Sequence, residues 1–239
     1  MKKYQVLIFD ADHTLLDYKA DEIGALKRLF EEWGLPTEKE TLEWCHFLSE
    51  QAWTEAGLYD VGSERIQKDY HRLYKSHVSK IFERFFAKYP CLRSPDEAGR
   101  KFLKNLRVGG NFFPFAEQTL KKLSLKTGGA YRVCVATNGL EDIQTGRLKD
   151  LEKYCEQIFI SERVGAIKPT AAFFSKLTDS LGVSPRECLM IGDSLSSDVL
   201  GGANAGMDTC WFNSRNLPKS GSVCPTYEIE KLSDLLAFL

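Results

Sequence analysis

The sequence predicts an α/β fold, a parallel-sheet core whose first strand is parted from the others by an inserted all-helical domain. Three observations carry this. Val6-Leu7-Ile8-Phe9 is a short apolar run that stops abruptly at Asp10, and four apolar residues without alternation read as a strand covered on both faces, as in parallel sheets. From Ile23 to Leu106 the apolar spacing is helical. Beyond Pro114 helices alternate with short apolar runs, as in βαβ units.

In chain order, Ile23, Leu26, Phe30 and Trp33 stand three and four apart, and Gly34 and Pro36 stop that helix. Thr37 and Glu40 have capping-box spacing for a second helix carrying Leu42, Cys45, Ala52 and Trp53. Ser63 opens a longer third helix, on which Ile66, Tyr70, Tyr74, Val78, Ile81, Phe82, Phe85 and Tyr89 make an aromatic-rich face that must be covered. Ser94-Pro95-Asp96-Glu97 starts a fourth, through about Leu106. Gly109-Gly110-Asn111 reads as a linker, giving an insertion over 17–109 and a core over 1–16 and 110–239. In the core, strands are expected over 131–136, 157–160, 188–191 and 209–212, with helices near 115–125, 141–151, 171–181 and 197–205. Residues 213–225 read as a loop, followed by a small edge strand at 227–229.

At 239 residues, 43% hydrophobic and 27% charged, the chain can bury a sizeable core. A net charge of −1 gives no footprint for polymeric nucleic acid or an anionic membrane, so neither is expected as a partner. Lys2 and Lys3 precede an apolar run too short for a signal peptide, and no run of about 18 apolar residues follows. A cytoplasmic protein is expected, its oligomeric state left open. Seven cysteines form no Cys-x-x-Cys pair and read as reduced thiols, and the four histidines are not spaced for zinc.

Chemistry concentrates where strands end. Asp10-Ala11-Asp12-His13-Thr14 places two carboxylates and a hydroxyl at the exit of the first strand, where open α/β sheets bind ligands. One could be a nucleophile or metal ligand and the other an acid/base. An Asx-type turn accounts for the same residues. Thr137-Asn138-Gly139 offers a hydroxyl and backbone N–H groups suited to phosphate, though such a turn taken alone is usually structural. A lysine on a loop is ordinarily only solvated; Lys168-Pro169 gains its interest from lying between two such turns, where a fixed cation would neutralise phosphate and hold a nucleophile in line. Gly192-Asp193, with Asp198 five residues later, supplies a second acidic pair. Four carboxylates brought together could not all ionise without a cation, and oxygen ligands favour Mg²⁺. Asp198 could also cap its helix.

These four elements, in this order, resemble the haloacid dehalogenase-like hydrolase superfamily. The resemblance implies a Rossmann-like parallel sheet with a helical cap inserted after the first strand. It further implies that Asp10 is the nucleophile that becomes an aspartyl-phosphate, and that Asp12 protonates the leaving oxygen and then activates water. Thr137, Asn138 and Lys168 would hold phosphate. Asp10, Asp193 and the backbone carbonyl of Asp12 would bind Mg²⁺, with Thr14 and Asp198 supporting them, and a cis Lys168-Pro169 bond would aim the lysine inward. Asp12 disfavours dehalogenation, which expels halide and needs no such acid. A closer likeness, in Ile160-Ser161-Glu162, Val164-Gly165, Gly201-Gly202-Ala203-Asn204-Ala205-Gly206 and Cys210-Trp211, is to the pyrimidine 5′-nucleotidase branch.

The expected activity is Mg²⁺-dependent hydrolysis of a small phosphate monoester, with pyrimidine nucleoside 5′-monophosphates favoured. A phosphatase or mutase acting on sugar phosphates and a catalytically idle ligand-binding protein are the alternatives. A cap inserted after the catalytic turn should contact whatever the phosphate is attached to. Trp53 and Tyr59 are its candidates for stacking on a base, with cap packing as the alternative role. His13 is a further candidate for substrate contact, or a solvated turn residue.

Overall fold

The computed structural model describes residues 4–218 and 223–239. Lys2, Lys3 and positions 219–222 of the expected tail loop lie outside the described residues. In chain order the elements are β1 (Val6–Phe9), α1 (Tyr18–Trp33), α2 (Lys39–Glu55), α3 (Glu64–Lys88), α4 (Pro95–Leu106), α5 (Ala116–Leu123), β2 (Arg132–Thr137), α6 (Glu141–Arg147) and β3 (Gln157–Ile160). There follow α7 (Ser161–Val164), α8 (Ala171–Leu181), β4 (Cys188–Gly192), α9 (Leu200–Asn204), β5 (Asp208–Phe212) and β6 (Tyr227–Ile229). They form two compact units. The first comprises Met1–Asp17, Phe112–Asn138 and Leu148–Leu239; the second, Tyr18–Asn111 and Gly139–Arg147.

The first unit is built on a six-stranded sheet in the order β3-β2-β1-β4-β5-β6, with every pairing parallel. β1 is central, and all four of its residues are fully buried. Its side chains alternate between two cores: Leu7 and Phe9 pack with Val133, Val135, Leu189 and Ile191 on one face, Val6 and Ile8 with Cys134, Met190, Phe173 and Leu177 on the other. Each such side chain contributes on the order of 1.5–3 kcal/mol, which is why no polar residue interrupts the strand. Because the strands are parallel and in register, Asp10, Thr137 and Asp193 all emerge at one edge of the sheet. Phe9 pairs with Val135 and Ile191, and the Asp10 N–H continues the ladder to the Ile191 carbonyl at 2.8 Å.

The second unit is helical. α1 ends at Gly34 in the left-handed region (φ 66°), and the Leu35 N–H closes on the Phe30 carbonyl at 2.9 Å. The Ser94 hydroxyl caps α4 by accepting from the Glu97 N–H at 3.2 Å, with Pro95 in the first turn. The aromatic face of α3 is covered within this unit: Phe85 packs on Phe30 with ring centroids 4.5 Å apart, and Phe82 on Phe102 at 6.0 Å.

Some boundaries differ from expectation. α2 is capped by Glu38 without a side-chain bond; Thr37 stands one residue before the cap, so it is not placed to form the expected capping box. The helix expected over 141–151 ends at Arg147, and a separate 3₁₀ turn follows at Lys149–Leu151. The helix expected over 197–205 begins as a π-helical turn, Leu195–Val199, a geometry often found at functional positions, and is α-helical only over Leu200–Asn204. Among the described residues no helix is long and apolar enough to cross a membrane.

Candidate active site

The turn after β1 is tight because three successive N–H groups, from Thr14, Leu15 and Leu16, converge on the Ala11 carbonyl. His13 adopts a left-handed conformation (φ 62°) within it and is exposed. Asp10 is 7% exposed, Asp12 half-buried and Thr14 fully buried. The Thr14 hydroxyl accepts from the Asp193 N–H at 3.1 Å, tying the first acidic turn to the second.

Lys168 is the hub. Its ammonium, 2% exposed, donates to Asp10 Oδ1 at 2.6 Å, Asp198 Oδ1 at 2.6 Å and the Ala136 carbonyl at 2.7 Å. The Lys168-Pro169 bond is cis, as expected. The loop is held by Asn138, whose side chain accepts from the Lys168 N–H at 2.8 Å and donates to the Lys168 carbonyl at 2.9 Å. Thr137, at the end of β2 and beside the carbonyl that Lys168 grips, is buried.

The π-helical turn carries Asp198 beneath the loop that follows β4. Asp198 Oδ2 accepts from the Ser194 N–H at 3.1 Å, while the Ser194 hydroxyl accepts from the Ser197 N–H at 3.2 Å. Asp198 thus supports the helix start and binds Lys168 at once. A Cβ at Gly192 would lie 2.2 Å from Asp198 Oδ2, so only glycine leaves room for that carboxylate.

Carboxylate oxygens of Asp10, Asp193 and Asp198 lie within 4.8 Å of one another. Burial pushes Asp10 well above the ordinary carboxylate range; Lys168 opposes the rise, and Asp198 and Asp193 add to it. Burial, then Asp198, lifts Asp193 to about 7, against the pull of Arg215. Burial works against the charge on Lys168, but Asp10 and Asp198 hold it above its ordinary value. The negative charge therefore exceeds what one buried ammonium offsets. An all-oxygen donor set with surplus charge fits a hard divalent cation.

Residues 4–206 match the family of haloacid dehalogenase-like hydrolases. The chain belongs to that family. Among hydrolases related to it, the pyrimidine 5′-nucleotidase PynA of Streptococcus pneumoniae is 33% identical over 236 residues, covering 98% of this chain and 94% of that one. The pyrimidine 5′-nucleotidase YjjG of Escherichia coli is 26% identical, covering 98% and 96%. A crystal structure of YfnB from Bacillus subtilis, bound to magnesium, superposes with a TM-score of 0.81 at 29% identity, covering 99% of this hydrolase and 98% of that chain.

Two site contacts of this haloacid dehalogenase-like hydrolase escape a reading of the sequence. The Trp211 indole N–H donates to the Asp193 carbonyl at 2.9 Å, and the Arg215 guanidinium stands 3.9 Å from Asp193 Oδ2. Both residues come from the β5 end; Cys210-Trp211 stands out in the sequence only as part of a family likeness, and nothing local ties Trp211 or Arg215 to Asp193 until the sheet sets β5 beside β4. A cavity of about 80 Å³ there is lined by His13, Phe113, Asp193, Trp211, Asn213 and Arg215.

The other substrate candidates lie in the helical unit. Trp53 is half-buried in an aromatic cluster, edge-on to Tyr59, Tyr70, Tyr74 and His77 at centroid distances of 5.1–6.3 Å. Tyr59 is 63% exposed. Burial lowers His77 to about 4, so it is neutral and Nδ1–H donates to the Tyr74 carbonyl at 2.6 Å.

Proposed function

We propose that this hydrolase is a Mg²⁺-dependent 5′-nucleotidase that releases phosphate from pyrimidine nucleoside 5′-monophosphates through an aspartyl-phosphate on Asp10. The observation that carries the proposal is the buried Asp10–Lys168–Asp198 bridge beside Asp193. It presents a carboxylate held in line by a fixed cation at the edge of the sheet where Thr137 ends β2. The similarity to PynA over 98% of the chain supports the substrate class.

In this reading an Asp10 oxygen attacks phosphorus as the ester P–O bond breaks, and Asp12 gives its proton to the departing alkoxide. Asp12, now a carboxylate, takes a proton from water, whose oxygen attacks phosphorus; the acyl phosphate opens, freeing orthophosphate and Asp10. Lys168 stays protonated and offsets the charge that otherwise repels a phosphate dianion from Asp10. Thr137 and the Asn138 backbone bind the non-bridging oxygens. The carboxylates of Asp10 and Asp193 and the Asp12 carbonyl would hold Mg²⁺, with Asp198 and Thr14 keeping them in place. Bound there, the metal ion neutralises phosphate charge and polarises the phosphoryl oxygens.

The helical unit, 17–109 in the sequence division, serves as the cap, and Tyr59 and Trp53 are its base-recognition surface. We place it in the cytoplasm, where its seven cysteines, five of them buried, would stay reduced. The test is a phosphate-release panel of dUMP, dTMP, sugar phosphates and p-nitrophenyl phosphate. Pyrimidine nucleotides should give the highest kcat/KM, and Trp53→Ala should reduce it for nucleotides far more than for p-nitrophenyl phosphate. A clear preference for sugar phosphates would overturn the nucleotide assignment.

A further inference from the structure

We propose that Trp211 is a positioning residue for Mg²⁺, holding the Asp193 carboxylate at its post by gripping the Asp193 backbone. The inference rests on the reading of Asp193 as a metal ligand. Asp193 follows the last residue of β4, at the point where the strand ladder stops supplying partners for its peptide groups. Both of those groups are nevertheless fixed from neighbouring elements. The N–H donates to the Thr14 hydroxyl at 3.1 Å, and the carbonyl accepts from the Trp211 indole N–H at 2.9 Å. Trp211 is suited to this by its place in the sheet: it pairs with Gly192, the residue before Asp193, in the β4–β5 register.

The indole is 2% exposed, so its N–H must find an acceptor inside the protein, and the one it finds is the carbonyl of the acidic residue itself. With the peptide planes on both sides of its Cα pinned, one to the turn after β1 and one to β5, the carboxylate is left little freedom beyond its own rotamers. That matters because the forces on the side chain conflict. Asp10 and Asp198 oxygens lie within 4.8 Å, Arg215 draws from 3.9 Å, and Lys168 is committed to the other two carboxylates. Without the two pins, repulsion from Asp10 and Asp198 would turn Asp193 outward toward Arg215.

The experiment is calorimetric titration of Mg²⁺ into the wild-type chain, Trp211→Phe and Asp193→Asn, with Tm measured on each. A second variant replaces Trp211 by benzothienylalanine, in which sulfur stands where the indole N–H was, so ring packing is kept. Supporting groups around metal ligands are worth on the order of ten- to a hundredfold in affinity; for this contact to the backbone we expect about tenfold weaker Mg²⁺ binding in both Trp211 variants. Their lost turnover should return as Mg²⁺ is raised, with kcat recovering, a rescue that a merely packing role does not give. Wild-type Mg²⁺ affinity in the benzothienylalanine variant, with Asp193→Asn unable to bind, would overturn the role of Trp211 alone. Wild-type affinity in Asp193→Asn would instead overturn the metal-ligand reading beneath it.

Discussion

Replacing Lys168 by methionine removes one ammonium from between two buried carboxylates while keeping most of the side-chain volume. Its three partners lie at 2.6, 2.6 and 2.7 Å, so nothing in the contact is loose enough to be made up by a small shift. Breaking a buried pair from one side costs about 3–5 kcal/mol, because the stranded charge keeps its desolvation penalty. Asp10 can escape by taking up a proton, so the loss depends on pH. Asp10 is already raised by burial, and without the lysine it rises further. The folded state then binds more protons than the unfolded chain between the ordinary carboxylate range and the new value, and stability falls as pH rises through that interval. In EDTA at pH 8 the variant should lose about 3–5 kcal/mol, a fall in Tm of about 6–20 °C for a chain of this size. At pH 5 the fall should be clearly smaller. Adding Asp198→Asn removes one of the stranded charges, so the double variant should be less destabilised than the sum of the singles by about 0.5–3 kcal/mol. Thermal unfolding of the four proteins at both pH values reads all of this. Equal losses at pH 5 and pH 8 together with strict additivity would refute Lys168 as the charge compensator of this cluster.

Asp193, lifted to about 7 by burial and Asp198, must give up its share of a proton when Mg²⁺ binds. Binding should therefore release protons and tighten as pH rises from about 6 to 8; calorimetry in two buffers of different ionisation enthalpy checks this, and proton uptake would contradict it. In the helical unit, His46 Nδ1 lies 2.5 Å from Glu22 Oε2, and that bond raises His46 against the opposing effect of burial. A raised histidine stabilises fully below its unfolded value, about 6.5, and the contribution disappears as pH climbs through the folded value. The stability gap between wild type and His46→Gln should thus be largest at pH 5.5 and vanish by pH 9 in denaturant unfolding; a gap that widens with pH would contradict the pairing. Gly192→Ala would place a Cβ 2.2 Å from Asp198 Oδ2, so it should cost about 1–3 kcal/mol through forced displacement, and an unchanged Tm would show that Asp198 has room to move.

The inner strands of the sheet were legible because they are buried on both faces, and burial of that kind leaves unbroken apolar runs: Cys188 to Ile191 could be placed nearly to the residue on that ground. Gln157 to Ile160, an edge strand half-buried over its first two residues, was legible from its short apolar, β-branched run instead. Helix ends governed by tertiary contacts were not. α6 stops at Arg147, a 2% exposed guanidinium bonded to Asp21 Oδ2 at 2.7 and 3.0 Å, and Asp21 Oδ1 also takes the N–H groups of Gly110 and Asn111. No local propensity announces a partner 126 residues away. The acidic and basic side chains at the strand ends were readable because chemistry restricts their type and topology restricts their place. Trp211 and the Glu22–His46 pair were not, since a tryptophan in an apolar run and a glutamate on a helix look like packing and solvation until the neighbours are known.

The most direct test of the account is phosphate release from dUMP or dTMP by the wild-type chain and by Asp10→Asn, each with Mg²⁺ and with EDTA. The amide is nearly isosteric with the carboxylate but cannot form the acyl phosphate. Turnover is expected only for the wild type with Mg²⁺, with the variant folded and inert under both conditions. Turnover by Asp10→Asn above the level of an enzyme-free control, or undiminished turnover by the wild type in EDTA, would contradict it.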